Sequence, residues 1–420
     1  MKKSKPTLFE NELDAVFLKP PSKVSPGILE TTASIADYFY ICFSLKKMNY
    51  YKYYFSLHEH YIVCSEGPGK PPKAVMDIKN AFMKQTDGTT INDKAHRGIK
   101  FIKKQNYEEL YSTDPAIIDK WFTALKKYCV LTKFRCYFES IKVIGKGNFA
   151  KVFLVKRLKD QKEFAVKVFN KSVIMEDPLE KKCLAYEIKM MREMNHYRVM
   201  RLYELYEGEN FIYCLCELYR GTDLLNAIVK KGSQPEQKTL TIILQILEGL
   251  AYMHSKKIIH RDLKPENIIF KTSNNIDLGL VDFGFATFEE DFRKLFVRCG
   301  TPGYVAPEIL NDKDYDCKVD VYSCGIIFYI ILTGRIPFNG SSYKQIVYRN
   351  MKGIINYDFS SFDINMPSNT SKLTSHGPAA EDARQGPQRQ DKQPRGSCPS
   401  CVRDGAVEEP SDHQEGLQPQ

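Results

Sequence analysis

The stretch HRDLKPENIIF, residues 260–270, sets a carboxylate, an ammonium and an amide close together in Asp262, Lys264 and Asn267. Such a segment is too polar for a core and too ordered for a random surface loop. Asp262 can accept a proton, the work of a general base. A second aspartate, Asp282 in VDFG, follows after a hairpin signal at TSNN. Upstream, FAVKVF sets Lys167 among Phe164, Val166 and Val168, a strand pattern that points the lysine inward. A buried ammonium without an anion is costly. Glu187, in the helical run KKCLAYEIKMMREM, can supply that anion. Further upstream, VIGKGNFAKVFLV places Gly145 and Gly147 between strand-like runs. Such a hairpin can fold its backbone N–H groups over phosphates. A G-x-G alone is weak, because ordinary turns explain most of them.

These groups need elements to carry them. The chain has 420 residues, enough for two or three domains, with 43% hydrophobic and 27% charged residues, a globular composition. No apolar run reaches the roughly 18 residues needed to span a bilayer, and the basic start MKKSKPTLFE lacks the apolar stretch of a secretory signal. The 12 cysteines are scattered and read as reduced thiols. Cys398 and Cys401 form one C-x-x-C with no visible partners for a metal or redox site. The expected location is therefore cytoplasmic. The net charge of +10 is uneven, since residues 1–135 carry 22 Lys and Arg against 14 Asp and Glu. That excess fits either a solvated basic face or an anionic partner.

Four regions follow. Residues 1–34 contain Pro6, Pro20, Pro21 and Pro26 and read as a disordered lead-in. Residues 35–130 open with ADYFYICFSLKKMNYYKYYFSLHEHYIVCSE, whose aromatic and β-branched runs predict three antiparallel strands. They close with a helix beginning at Asp114-Pro115, on which Ile117, Ile118, Trp121, Phe122 and Leu125 share an apolar face. Residues 137–372 pass from strand-and-glycine patterns to helices. Residues 376–420 contain no Ile, Phe, Tyr, Trp or Met, cannot bury a core and read as a disordered tail.

Strands closed by a single helix bearing the chain's one tryptophan resemble a pleckstrin-homology domain. The resemblance implies a β-barrel with a C-terminal helix, and a lipid headgroup site at Lys46, Lys47 and Lys52. Tyr53 stands where that family's lipid-binding pattern usually has an arginine, which weakens a charged, bidentate grip on phosphate. Peripheral attachment to anionic membrane lipid, or a protein partner, is the expectation; nucleic acid is not.

The order of glycine loop, strand lysine, helix glutamate, HRD, DFG and GTPGYVAPE resembles the eukaryotic protein kinases. The lysine of HRDLK and Thr301 in GTPGY point to the serine/threonine class. CGTPGYVAPEIL and GIIFYIILTGRIPFNG are most similar to the calcium/calmodulin-dependent group, and the domain pairing is similar to protein kinase D. The resemblance implies an α+β chain with a bilobal kinase fold after the barrel, using ATP and Mg²⁺ to phosphorylate protein Ser and Thr. Residues Gly145, Lys146, Gly147, Asn148, Phe149 and Lys151 would cover the phosphates. Ile144 and Val152 would sandwich the adenine, with Ala150 of the glycine loop and Ala165 also in the ATP site, Glu217 and Tyr219 at the hinge, Cys216 guarding the deeper pocket and Asp223 at the ribose. Lys167, oriented by Glu187, would hold the α- and β-phosphates. Asn267 and Asp282 would bind the metal, Asp262 would take the hydroxyl proton, and Lys264 would stabilise the transferred group. Thr301 and Glu308 would belong to the activation segment.

The chain departs from that family's pattern at several points. Ala150 replaces the third loop glycine, Tyr322 a tryptophan, and Val297 the activating phosphothreonine. Activity is therefore expected not to need a phosphate there. The kinase-like sequence is expected to be truncated near residue 374, which leaves Glu308 without an arginine partner, the large lobe incomplete and residues from about 375 foreign or alternatively spliced. That incompleteness supports a rival reading, a catalytically weak or inactive scaffold. About seven residues join the two domains, so the first is expected to sit against the small lobe and restrain the kinase.

Overall fold

The computed structural model describes residues 7–9, 18–19, 26–42, 49–104, 106–147, 150–291, 298–353 and 355. Lys46, Lys47, Asn148, Phe149, Val297, Cys398 and Cys401 lie outside them, as do the expected chain break near residue 374 and the tail 376–420.

The N-terminal unit contains β1 (Leu18–Lys19), α1 (Pro26–Leu29), β2 (Ile35–Cys42), β3 (Tyr50–His58), β4 (Tyr61–Ser65), β5 (Pro72–Asp77), β6 (Phe82–Ile91), β7 (Lys94–Lys103), β8 (Asn106–Ser112) and α2 (Pro115–Leu125). The three strands expected from residue 35 onward are β2, β3 and β4. All the strands join one antiparallel sheet in the order β1-β5-β4-β3-β2-β8-β7-β6. The order is open, with β1 and β6 at its edges, so the described strands do not form the expected closed barrel.

Asp114 caps α2 by accepting the Ala116 N–H at 2.8 Å, and Pro115 occupies the first turn, where its missing donor costs nothing. Trp121 is fully buried. Its indole N–H donates to Asp37 Oδ2 at 2.8 Å, and its ring meets Phe39 edge-on at 5.0 Å.

The second unit begins with a 3₁₀ turn at Phe134–Cys136. A five-stranded small-lobe sheet follows, built from β9 (Phe138–Lys146), β10 (Ala150–Arg157), β11 (Glu163–Asn170), β12 (Leu202–Glu207) and β13 (Phe211–Cys216), in the order β12-β13-β11-β10-β9. Helices α3 (Lys171–Glu176) and α4 (Pro178–Glu193) lie between β11 and β12 in sequence. The large lobe contains α5 (Leu224–Lys231), α6 (Glu236–Ser255), the short pairs β14 (Ile258–Ile259) with β17 (Thr287–Phe288) and β15 (Ile268–Phe270) with β16 (Leu278–Leu280), then α7 (Pro307–Leu310), α8 (Lys318–Thr333) and α9 (Tyr343–Lys352). No helix among the described residues is long and apolar enough to cross a membrane.

The helix expected to run to about residue 130 stops at Leu125, and the following segment is no free spacer. The Val130 N–H donates to the Ala81 carbonyl and its own carbonyl accepts from Met83, each at 2.8 Å. Leu131 makes the same kind of exchange with the small lobe, donating to the Leu205 carbonyl at 2.8 Å and accepting from Glu207 at 2.9 Å. Phe134 then stacks on Phe138 at 4.8 Å and on Tyr213 at 4.4 Å. One apolar cluster runs from Phe39 and Trp121 through Leu131 and Phe134 to Phe164, Tyr206 and Leu215. The first domain does sit against the small lobe, as the short connection requires, and the two share a core.

Residues 1–34 are not uniformly loose either. Leu8 and Phe9 are buried in the cluster that also holds Ile188 and Met191 of α4.

Candidate active site

A cavity of about 900 Å³ opens between the two lobes. That is ample for a nucleotide-sized ligand, given that small-molecule sites run to roughly 300–1,000 Å³. Its roof comes from β9 to β11. Val152 faces Gly145 across β9 and β10, and Lys167 pairs opposite Val152 in β11. Ile144, Lys146, Gly147, Ala150 and Ala165 also line it. Lys151 does not, because the strand alternation turns it out to solvent.

The sequence pairing of Lys167 with Glu187 is realised. Lys167 Nζ donates to Glu187 Oε1 at 2.6 Å and also reaches Asp282 Oδ1 at 3.2 Å. Burial pushes the ammonium's pKa down, but the Asp282 and Glu187 carboxylates outweigh it, and the net shift is well above the ordinary lysine value. The same ammonium holds the Asp282 carboxyl below its usual range. Asp282 thus presents a negative charge to the cavity.

Beside the cavity, on the loop that sends Asn267 into its lining, Asp262 sits in a tight triangle. Lys264 Nζ lies 2.9 Å from Asp262 Oδ2 and donates to Thr301 Oγ1 at 2.9 Å. Thr301 Oγ1 donates to Asp262 Oδ1 at 2.6 Å. Asn267 turns its amide nitrogen to the Asp262 carbonyl at 2.8 Å, leaving its amide oxygen to face a cation. Arg261 and Asp282 both hold left-handed backbone, φ +66° and +64°. Strain of this kind, for a non-glycine residue, concentrates at functional sites.

At the hinge, Cys216, Glu217 and Tyr219 line the cavity. The Glu217 N–H is already bonded to the Arg201 carbonyl at 2.9 Å, so its carbonyl is the group left for a ligand. Burial pushes the Cys216 thiol up to about 12, which keeps it protonated and unreactive. Asp223 lines the cavity but also caps α5, with Oδ1 accepting the Asn226 N–H at 2.8 Å and Oδ2 its side-chain amide at 2.6 Å. Glu308 is half-buried in α7 and has no ion-pair partner among the described residues.

One residue escaped the sequence reading. Asp320, fully buried in α8, accepts the backbone N–H of His260 at 2.8 Å and of Arg261 at 2.9 Å, and pairs with His254 at 2.9 Å. It pins the backbone that presents Asp262. Its only signal is a charged residue in the apolar helical run VDVYSCGIIFYIIL.

A lysine–glutamate–aspartate cluster lining an interlobe cavity, joined through Asn267 to a hydrogen-bonded aspartate on the neighbouring loop, defines a nucleotide-dependent phosphotransferase site. The sequence profile described as "Protein kinase domain" matches residues 138–402, a span that runs past residue 376. The chain belongs to the protein kinase family. It is 37% identical over 227 residues to calcium-dependent protein kinase 4 of Plasmodium berghei, covering 54% of this chain and 43% of that protein. It is 39% identical over 220 residues to calcium/calmodulin-dependent protein kinase type 1 of Caenorhabditis briggsae, covering 51% and 60%. Against myosin light chain kinase A of Dictyostelium discoideum it is 35% identical over 230 residues, covering 54% and 77%. The match to the Plasmodium kinase thus spans less than half of that relative's length.

The family uses ATP and Mg²⁺. The donors present fit both. Asp282 and the free oxygen of Asn267 are hard oxygen ligands. Among the described residues no cluster of three or more His, Cys, Asp or Glu could cage a metal alone. Mg²⁺ is held by one or two protein oxygens together with substrate phosphates, and Asp282 and Asn267 can supply those oxygens.

Proposed function

We propose that the chain transfers a phosphoryl group from ATP to serine and threonine hydroxyls of proteins. The observation that carries this reading is the Lys167–Glu187–Asp282 cluster lining the cavity, with the Asp262–Lys264–Thr301 triangle tied to it through Asn267, which lines the same cavity and bonds Asp262. Lys167 binds and orients the nucleotide phosphates. Asp282 and Asn267 hold the metal, which when bound neutralises charge on the phosphate oxygens. Asp262 accepts the hydroxyl proton and aligns its oxygen, while Lys264 keeps a positive charge beside the acceptor. The test is transfer of labelled phosphate from ATP to a basic Ser/Thr peptide. Transfer that stops on chelation supports the reading, and none with metal and nucleotide present refutes it.

Turnover is expected not to depend on an activation-segment phosphate. Arg261, the residue such a phosphate would engage, donates Nε to the Phe285 carbonyl at 2.7 Å and Nη1 to the Tyr315 hydroxyl at 3.0 Å. Phosphatase treatment should leave the rate unchanged. A collapse reversed by rephosphorylation at Thr287, Thr301 or Tyr304, the hydroxyls between DFG and APE, would contradict it.

The N-terminal unit is proposed to be a pleckstrin-homology-like module, supported by its antiparallel strands and the α2 helix packed through Trp121. Peripheral attachment to anionic membrane within the cytoplasm is part of that proposal. Lys52 is exposed on β3 and lies 5.3 Å from the Tyr38 ring centre, and each basic residue near such a surface contributes roughly 1 kcal/mol. Sedimentation with phosphatidylserine vesicles should rise with anionic lipid content and fall with salt. Equal binding to neutral vesicles would reject the electrostatic attachment.

A further inference from the structure

We infer that the N-terminal unit holds α4 in the position that assembles the Lys167–Glu187 pair, and that Arg192 is the handle it grips. This deepens the phosphotransfer reading and rests on it for the catalytic consequence alone.

Arg192 lies in the last turn of α4, where a cation also complements the helix dipole. Three separate pieces of the first 130 residues converge on it. Its Nη1 donates to Asn80 Oδ1, in the turn between β5 and β6. Its Nη2 donates to the Cys129 carbonyl at 2.9 Å. The Phe9 ring centre lies 6.0 Å from its guanidinium carbon. A planar, rigid guanidinium held at two nitrogens by two elements fixes direction as well as distance.

The grip is itself rigid. Asn80 is buried at φ +59°, a conformation asparagine tolerates, and its N–H donates to the Tyr128 carbonyl at 2.9 Å. Ala81 and Met83 are bonded to Val130, one residue after the second acceptor. A second tie lies at Glu207 on β12. Its carboxylate takes Lys171 Nζ at 2.6 Å, the Leu8 N–H at 3.3 Å and the Thr7 hydroxyl at 3.0 Å. Residues 7 to 9 therefore meet the end of α4 at Arg192 and share the Glu207 carboxylate with Lys171 at the start of α3.

Glu187 lies five residues before Arg192, about 7.5 Å along one helix. A tilt at the gripped end is transmitted to the carboxylate that meets Lys167. No described residue of the first 130 lines the cavity, so the unit leaves the site open while bracing one wall. The direction is the reverse of the restraint expected from the short connection: the N-terminal unit supports the kinase.

The test uses the full chain. Asn80→Gly removes the side-chain acceptor while keeping the left-handed backbone cheap, and Arg192→Gln removes the fork. Losing a hydrogen bond to a charged group should speed amide hydrogen exchange across α4 about tenfold and lower kcat about tenfold in each. The peptide KM should stay within about twofold, since peptide binding is not what the helix controls. Asn80→Asp keeps an acceptor and should behave as the wild type. The double variant should lose little more than Arg192→Gln alone, because that change already removes the Asn80 bond. Unchanged α4 exchange in both single variants overturns the inference, as does a kcat that holds or rises while exchange speeds up. If wild-type protein transfers no phosphate at all, the phosphotransfer reading fails alone. The exchange measurement then still decides the grip, with faster exchange supporting it and unchanged exchange refuting it.

Discussion

Replacing Lys167 with methionine is expected to lower phosphoryl transfer by about 10³-fold, the scale on which one preorganised charge at a reacting group acts. Methionine fills nearly the same volume, so the sheet around β11 should survive. What disappears is the one cation set between Glu187 at 2.6 Å and Asp282 at 3.2 Å. Two carboxylates then share a site without the ammonium between them, and the nucleotide phosphates lose their partner. Within this pair the lysine adds no pH sensitivity near neutrality, while burial pushes the Glu187 carboxyl above its ordinary value. The lysine is raised on folding, so the stabilisation is complete below the unfolded lysine value and fades only as pH climbs through the still higher folded one. Nucleotide-dependent melting shifts and peptide turnover should be measured together. Wild-type turnover in the variant would sink the assignment of this cluster.

Asp262→Asn is expected to cost a similar factor, about 10³, within the range that a positioned general base supplies. Its effect should fall on a different quantity. Asp262 lies outside the cavity lining, so nucleotide affinity should be unchanged while transfer fails. The local geometry explains why asparagine cannot substitute. Both carboxylate oxygens are acceptors, one for Thr301 at 2.6 Å and the other beside the Lys264 ammonium at 2.9 Å. An amide presents a donor to one of them and has no basic oxygen to receive a proton. Transfer within about tenfold of wild type would remove Asp262 from the base's role.

The site was legible in sequence where neighbours along the chain decide it. Asp262, Lys264 and Asn267 share one loop, so their spacing sets their geometry. Lys167 was readable because strand alternation among Phe164, Val166 and Val168 fixes its direction. Glu187 was readable from the same logic on a helix. The Arg192 grip was not, because its partners lie 63 and 112 residues away in sequence. Asp320 likewise acts across 59 and 60 residues. Sheet closure is also non-local, and the expected barrel proved an open order. The end of α2 was misjudged because the apolar residues of KKYCVL suit a helix face and an extended core segment equally. Backbone pairing of Val130 with Ala81 and Met83 decides between them.

The stacking of Phe134 between Phe138 and Tyr213 bears on heredity. Domains strung on loose linkers can be shuffled between genes without repair at the joint. Here Leu131 and Phe134 belong to the interior of both neighbours. A recombination event that replaced only the first 130 residues would leave Leu131 and Phe134 packed against a stranger's interior. The two parts of this chain should therefore be inherited as a pair, and substitutions at Leu131, Phe134 and Tyr206 should be correlated across lineages.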